Sequence, residues 1–153
     1  MAPSRSDPRF VNDSPTVYDF YDLGKEMMNR AGRNLGTLSV GGPEDRKFQS
    51  FFGESVTIIL LAWNMMQAQE LIPHRGLVIH YLWALMFMKI YSSETALCVH
   101  AAGGGVDPKT FRKWIWPFIL ALAELEYTVV SLLFWCISFQ LSQTSCYVLK
   151  DSI

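Results

Sequence analysis

The sequence is short of cysteine, of excess charge of either sign, and of the signatures by which phosphate and metal sites usually announce themselves. Its three cysteines, Cys98, Cys136 and Cys146, are odd in number and include no C-x-x-C pair, which excludes a disulfide scaffold and an evident zinc site. Cys98 and His100 stand two residues apart, so on a helix they face different directions, and no second pair lies at finger spacing. Gly103-Gly104-Gly105 has no G-K-[ST] ending and follows a helical pattern rather than a strand. It reads as a turn. Thirteen basic residues against fourteen acidic ones exclude a globally polycationic nucleic-acid binder, while leaving room for a local basic face. The first residues lack the apolar run of a secretory signal, and Ala2 stands where myristoylation requires glycine, so export and N-terminal acylation are not expected.

What the chain does have is apolar surface to hide. Its 153 residues are 50% hydrophobic and 18% charged, the latter below the roughly 25% of ordinary soluble domains. Ten Phe, seven Met and five Trp give material for one domain with a core, and the length is too small for the usual two-domain enzyme. Residues 1–47 form a separate compositional zone that holds seven of the basic residues, seven of the acidic ones and Pro3, Pro8, Pro15 and Pro43. Prolines break helices and favour turns, so this zone reads as a flexible charged arm. A short helix fits around Asp19 to Arg30, but no apolar stripe is evident to hold it.

From Phe48 the pattern becomes helical. Val56, Ile59, Leu60, Trp63 and Met66 recur at spacings of three and four, which predicts a helix over Ser55 to Leu71 that ends near Ile72-Pro73. Leu77 to Tyr91 is apolar almost all round, as expected of a helix central to a bundle. A third helix is predicted from Ser92 or Ser93, whose hydroxyl caps it, to Ala101, with the three glycines as its stop. Asp107-Pro108 is then a strong start signal, an acidic cap followed by proline in the first helical position. In the helix that follows, Phe111, Trp114, Ile115 and Phe118 form an inward face, while Lys109, Arg112 and Lys113 form an outward basic one. Pro117 is expected to kink or restart this helix before Phe118 to Glu126. The five tryptophans read as packing residues rather than base-stacking platforms.

A short helix, a glycine turn and a capped helix with a basic face make a helix-turn-helix candidate over about residues 93–116. In that motif the second helix enters the major groove and its N-terminal residues reach base edges or phosphate. Here those residues are Lys109, Thr110, Arg112 and Lys113. Three basic residues give a salt slope of only about 0.9 per neutralised phosphate, so strong binding would need the arm, a dimer or another domain. Taken as a pattern alone, the triplet fits a solvated charged face better than a DNA contact.

The blocks Asp45-Arg46-Lys47-Phe48-Gln49-Ser50-Phe51-Phe52-Gly53, Tyr81 to Tyr91, and above all Gly105-Val106-Asp107-Pro108-Lys109-Thr110-Phe111-Arg112-Lys113-Trp114-Ile115-Trp116-Pro117-Phe118-Ile119 carry a resemblance. With Ala123-Glu124-Leu125-Glu126 they resemble the region ahead of the catalytic domain in Harbinger-type (PIF-like) DDE-superfamily transposases of eukaryotes, over residues 48–126. The resemblance implies a helical, helix-turn-helix-containing DNA-binding segment, and it tips the reading of Lys109, Thr110, Arg112 and Lys113 toward DNA.

Catalysis is not implied. The family's chemistry uses three separated carboxylates that hold two divalent ions on a following nuclease core. After Tyr127 the sequence holds one acidic residue, Asp151, and Glu124 and Glu126 at i, i+2 point to different sides of a helix. No catalytic residue, metal ligand or cofactor is therefore expected. Tyr127 to Leu149 carries no charge, yet eight of its 23 residues are polar (Thr128, Ser131, Ser138, Gln140, Ser142, Gln143, Thr144 and Ser145), which makes a bilayer span marginal. This tail, residues 127–153, also fits the product of a frameshift, retained intron or premature stop in a decayed element.

The sequence thus predicts an all-α protein: an arm (1–47), a small helical bundle with a helix-turn-helix (48–126) and a hydrophobic tail. Its expected role is that of a non-catalytic, transposase-derived module with DNA as partner and the nucleus as location. The alternatives are a small single-pass or membrane-associated protein anchored by residues 127–149, and a translated remnant without function.

Overall fold

The computed structural model describes the backbone of residues 14–90 and 92–150, and side chains as far as Ser131. The expectations for residues 1–13, for Tyr91 as a helix end and for the side chains beyond Ser131 lie outside the described residues. Within them the protein is all-helical, with α1 (Val17–Arg30), α2 (Pro43–Phe52), α3 (Val56–Ala68), α4 (Val78–Lys89), α5 (Glu94–Ala102) and α6 (Pro108–Lys150).

The N-terminal region corrects the expectation of a flexible arm reaching residue 47. Helix α1 opens on a reciprocal cap: the Thr16 hydroxyl accepts from the Asp19 N–H at 3.4 Å, and the Thr16 N–H donates to the Asp19 carboxylate at 2.7 Å. Its buried residues are Phe20, Tyr21, Leu23, Gly24, Met27 and Met28. Phe20, Leu23 and Met27, with Tyr21, Gly24 and Met28 beside them, fall at i, i+3 and i+7, so the apolar stripe is present although charged residues alternate with it. The prolines do not break helices here. Pro15 precedes the cap of α1, and Pro43 opens α2, a position where its missing N–H is no loss. The helical domain therefore begins near Thr16 rather than at Phe48, which lies inside α2.

Helix α1 fits closely on α2. A Cβ added at Gly24 would clash with Cε2 of Phe48 unless that ring shifted, so glycine permits this close approach. Two basic residues of this N-terminal zone also serve the fold. Arg30 donates to the carbonyl of Ala101 at 2.8 Å and, more weakly, to that of His100 at 3.3 Å, satisfying the last turn of α5. The Arg33 guanidinium lies 5.4 Å from the centroid of the Phe51 ring.

Helices α3 and α4 follow the sequence pattern closely. Val56, Ile59, Trp63 and Met66 are the buried face of α3, and the helix stops at Ala68, earlier than Leu71, because Glu70 turns into the left-handed region at φ 55°. The start of α3 is held by the buried carboxylate of Asp45, which accepts from the N–H of Val56 at 3.2 Å and from that of Gly41 at 2.9 Å. Helix α4 packs against α1, α2, α5 and α6 and buries residues on every side. Tyr81 at its centre is fully buried and donates to the Ile59 carbonyl at 3.3 Å.

Beside it, His80 is sandwiched by aromatics, stacked on Trp114 at 4.1 Å between centroids and edge-on to Trp83 at 5.0 Å. Its Nδ1 accepts from the Leu77 N–H at 3.2 Å, capping α4. Burial holds its pKa down at about 4, so the ring is neutral at physiological pH.

Helix α6 runs without interruption through Pro117, which withholds the one backbone donor that the Lys113 carbonyl would receive. Phe111, Ile115 and Phe118 are fully buried, and Ala121 and Leu125 nearly so, against α3, α4 and α5. The segment expected as a separate tail from residue 127 continues the same helix, whose 43 residues span about 64 Å at 1.5 Å per residue.

Candidate nucleic-acid interface

The turn between α5 and α6 is built as the sequence suggests. The Ser93 hydroxyl accepts from the Ala96 N–H at 3.3 Å, which starts α5. Gly103 ends it in the left-handed conformation, φ 63°, with its N–H on the Val99 carbonyl. After Gly104, also left-handed at φ 87°, the chain enters α6 through Asp107. That carboxylate accepts from the backbone N–H groups of Lys109 and Thr110 at 3.0 and 3.1 Å. The Thr110 hydroxyl adds a bond to Asp107 at 2.7 Å. These bonds hold the Asp107 carboxyl below the usual carboxylate range, the Thr110 hydroxyl contributing most.

The four predicted contact residues do come together at this end of α6, but they are not equally free. Lys109, Arg112 and Lys113 are exposed and Thr110 is half-buried. Thr110 is committed to the cap. Arg112 reaches back to α5, where its Nε lies 3.1 Å from the Glu94 carboxylate, and it also donates to the Pro108 carbonyl at 3.3 Å. Lys113 extends over Trp114 at 5.6 Å from the ring centroid. Lys109 and Lys113 have no carboxylate partner among the described residues. With Asp107 and Glu94 set against three cations, the face carries a net charge near +1, so an approaching phosphate meets two available ammonium groups and one guanidinium already engaged.

Glu94 is the residue that pattern reasoning missed. It sits in the first turn of α5, a favourable place for an acid, and nothing local in the sequence signals that Arg112 lies across from it. The hydrophobic mounting of the turn was legible. Phe111 is fully buried beside Trp83 and Phe87, at 5.7 and 6.4 Å between ring centroids. Trp114 is half-buried on His80, which fixes the side from which Lys113 projects.

Other groups offer little chemistry. Cys98 is buried, and burial first, then the nearby Glu94 and Asp107 carboxylates, push its thiol up, away from the reactive thiolate. Among the described residues, no three His, Cys, Asp or Glu side chains gather where they could hold a metal ion. A surface cleft of about 340 Å³ is lined by residues including Trp63, Glu70, Arg75 and Gly76, and it shares no residue with the α5–α6 turn.

No family model matches the chain, and no curated protein or solved structure is significantly similar to it.

Proposed function

We propose that the protein is a non-catalytic DNA-binding module, transposase-derived as its resemblance to the pre-catalytic region of Harbinger-type transposases implies, and that it acts in the nucleus. The observation that carries this reading is the pair Lys109 and Lys113, exposed on the first turns of a capped helix whose opposite side is anchored in the core. Two lysines without carboxylate partners among the described residues act as point charges for phosphate. Arg112 joins them by exchanging Glu94 for a phosphate, at the cost of an exposed ion pair that contributes about 1 kcal/mol or less. Thr110 serves the cap and contributes little to base reading.

This assigns the face to backbone contact rather than to sequence discrimination. Neutralising two to three phosphates gives a slope of log K against log salt of about −2 to −3. Binding is then weak and strongly salt-dependent. Fluorescence anisotropy of a labelled duplex, titrated with the protein at several salt concentrations, tests it. Each of Lys109→Ala and Lys113→Ala is expected to reduce the slope by about 0.9, and absence of any salt-sensitive binding would sink the proposal.

A second reading has one observation in its favour: Pro108–Ser131 of α6 is long and apolar enough to cross a membrane, and only 22% of its most apolar window is buried. The proposal there is membrane contact through α6. Recovery of the full chain in a carbonate-resistant membrane fraction would favour it over the DNA reading.

A further inference from the structure

We infer that two copies of the chain associate through the outer face of α6, antiparallel about a twofold axis passing beside Phe118. The inference starts from a row of residues that the bundle leaves uncovered. Trp116, Leu120 and Tyr127 are 49%, 67% and 71% exposed, and Ala123 between them is exposed too. At about 100° per residue this row lies on the side of α6 opposite Phe111, Ile115, Phe118 and Leu125, which fill the core. The steps from Lys113 to Trp116, Leu120, Ala123 and Tyr127 alternate three and four. That is the 3.5-residue seam by which one helix packs along another, rather than the broader stripe of a bundle helix. Large apolar side chains aligned in this way on an exposed helix mark an interface.

Charge decides the occupant and its direction. The row has basic residues at one end, Lys109, Arg112 and Lys113, and two exposed carboxylates, Glu124 and Glu126, beside its other end. In a parallel pair Lys113 would face the partner's Lys113 in the seam, and Glu124 would be flanked by Ile119 of the partner subunit. In the antiparallel pair Trp116 packs on the partner's Leu120 and Lys113 on the partner's Ala123. Arg112 then lies on the same flank as the partner's Glu126, about 3 Å away along the axis, and Lys113 lies next to the partner's Glu124. The twofold repeats every contact, so the basic ends of both helices are neutralised by the acidic flanks of both. A bilayer offers no such match, since burying this face in hydrocarbon would carry Glu124 and Glu126 with it.

The association stands on the exposed seam and its charges and does not rest on the DNA reading. It uses cations that the DNA reading also uses, however, so DNA and the second copy compete for Arg112 and Lys113. Sedimentation velocity of the purified full chain is expected to show a monomer–dimer equilibrium that shifts toward monomer as salt is raised. Leu120→Glu should abolish the dimer and leave the thermal midpoint unchanged, because Leu120 supports nothing in the core. The double reversal E124K/E126K should weaken dimerisation by at least about tenfold, and combining it with R112E/K113E should restore it. A monomer at every concentration up to about 100 μM, or a dimer indifferent to the reversals, would overturn the inference. So would co-sedimentation with phosphatidylserine vesicles in place of self-association.

Discussion

Helices α1 and α6 exchange the roles that their compositions suggest. Five of the fourteen residues of α1 are charged, yet Phe20 and Met27 are completely buried and Tyr21 and Met28 nearly so. Helix α6 is far richer in apolar residues, yet Leu120 and Tyr127 stand more than two-thirds exposed. Burial follows the spacing of apolar residues around a helix and the presence of a partner for that face, and total hydrophobicity decides neither. The charged residues of α1 other than Arg30, which bonds to the end of α5, occupy the side the bundle does not cover. Those of the first turns of α6 flank a face that the bundle does not cover either, and that is the surface left for a partner.

The comparison breaks most visibly if α1 is not a core element. Phe20→Ala should lower the unfolding free energy by about 3–5 kcal/mol in urea titration, whereas Leu120→Ala should leave it within about 0.5 kcal/mol. Equal small effects would return α1 to the status of an arm. Gly24→Val tests the same contact from the backbone side, because the new side chain meets Phe48 and Phe52; a loss of about 1–3 kcal/mol is expected, or more if neither ring can move.

Lowering the pH should weaken the fold through His80. Its folded-state pKa of about 4 lies below the unfolded value of 6.5, so between these values the unfolded chain binds the extra proton. Stability is therefore full above about pH 6.5 and falls as the pH drops through 4, by roughly 3 kcal/mol in all. His80→Phe should remove most of that dependence in denaturation curves measured at pH 7 and pH 4.5. A smaller loss is expected at the α6 cap. Asp107→Ala should cost about 1 kcal/mol in the same assay, read against Lys109→Ala, which should cost almost nothing.

Much of the bundle was readable in the sequence because its signals are local. Ser93, Gly103 and Asp107-Pro108 fix the ends of α5 and the start of α6 through contacts within four residues, and the spacing Val56, Ile59, Trp63, Met66 marks one face of α3 without any knowledge of its partner. Two things were hidden for opposite reasons. In α1 the stripe was masked by the two aspartates, the lysine and the glutamate interleaved with it, and prolines at helix starts look the same in sequence as prolines that break helices. At the candidate site the limiting contact is Arg112 on Glu94, two residues eighteen apart in sequence that meet only because α5 and α6 pack together. The basic triplet was legible as a pattern, while its reduction to two available lysines belongs to the tertiary structure.

The most direct test of the functional account is the salt dependence of duplex binding, measured by anisotropy for the wild-type chain and for the Lys109→Ala/Lys113→Ala variant at matched fold stability. The account predicts wild-type affinity falling with salt at a log–log slope of about −2 to −3, and a variant slope shallower by nearly two. Wild-type and variant curves that coincide, or a wild-type chain that binds no duplex at low salt, would contradict it.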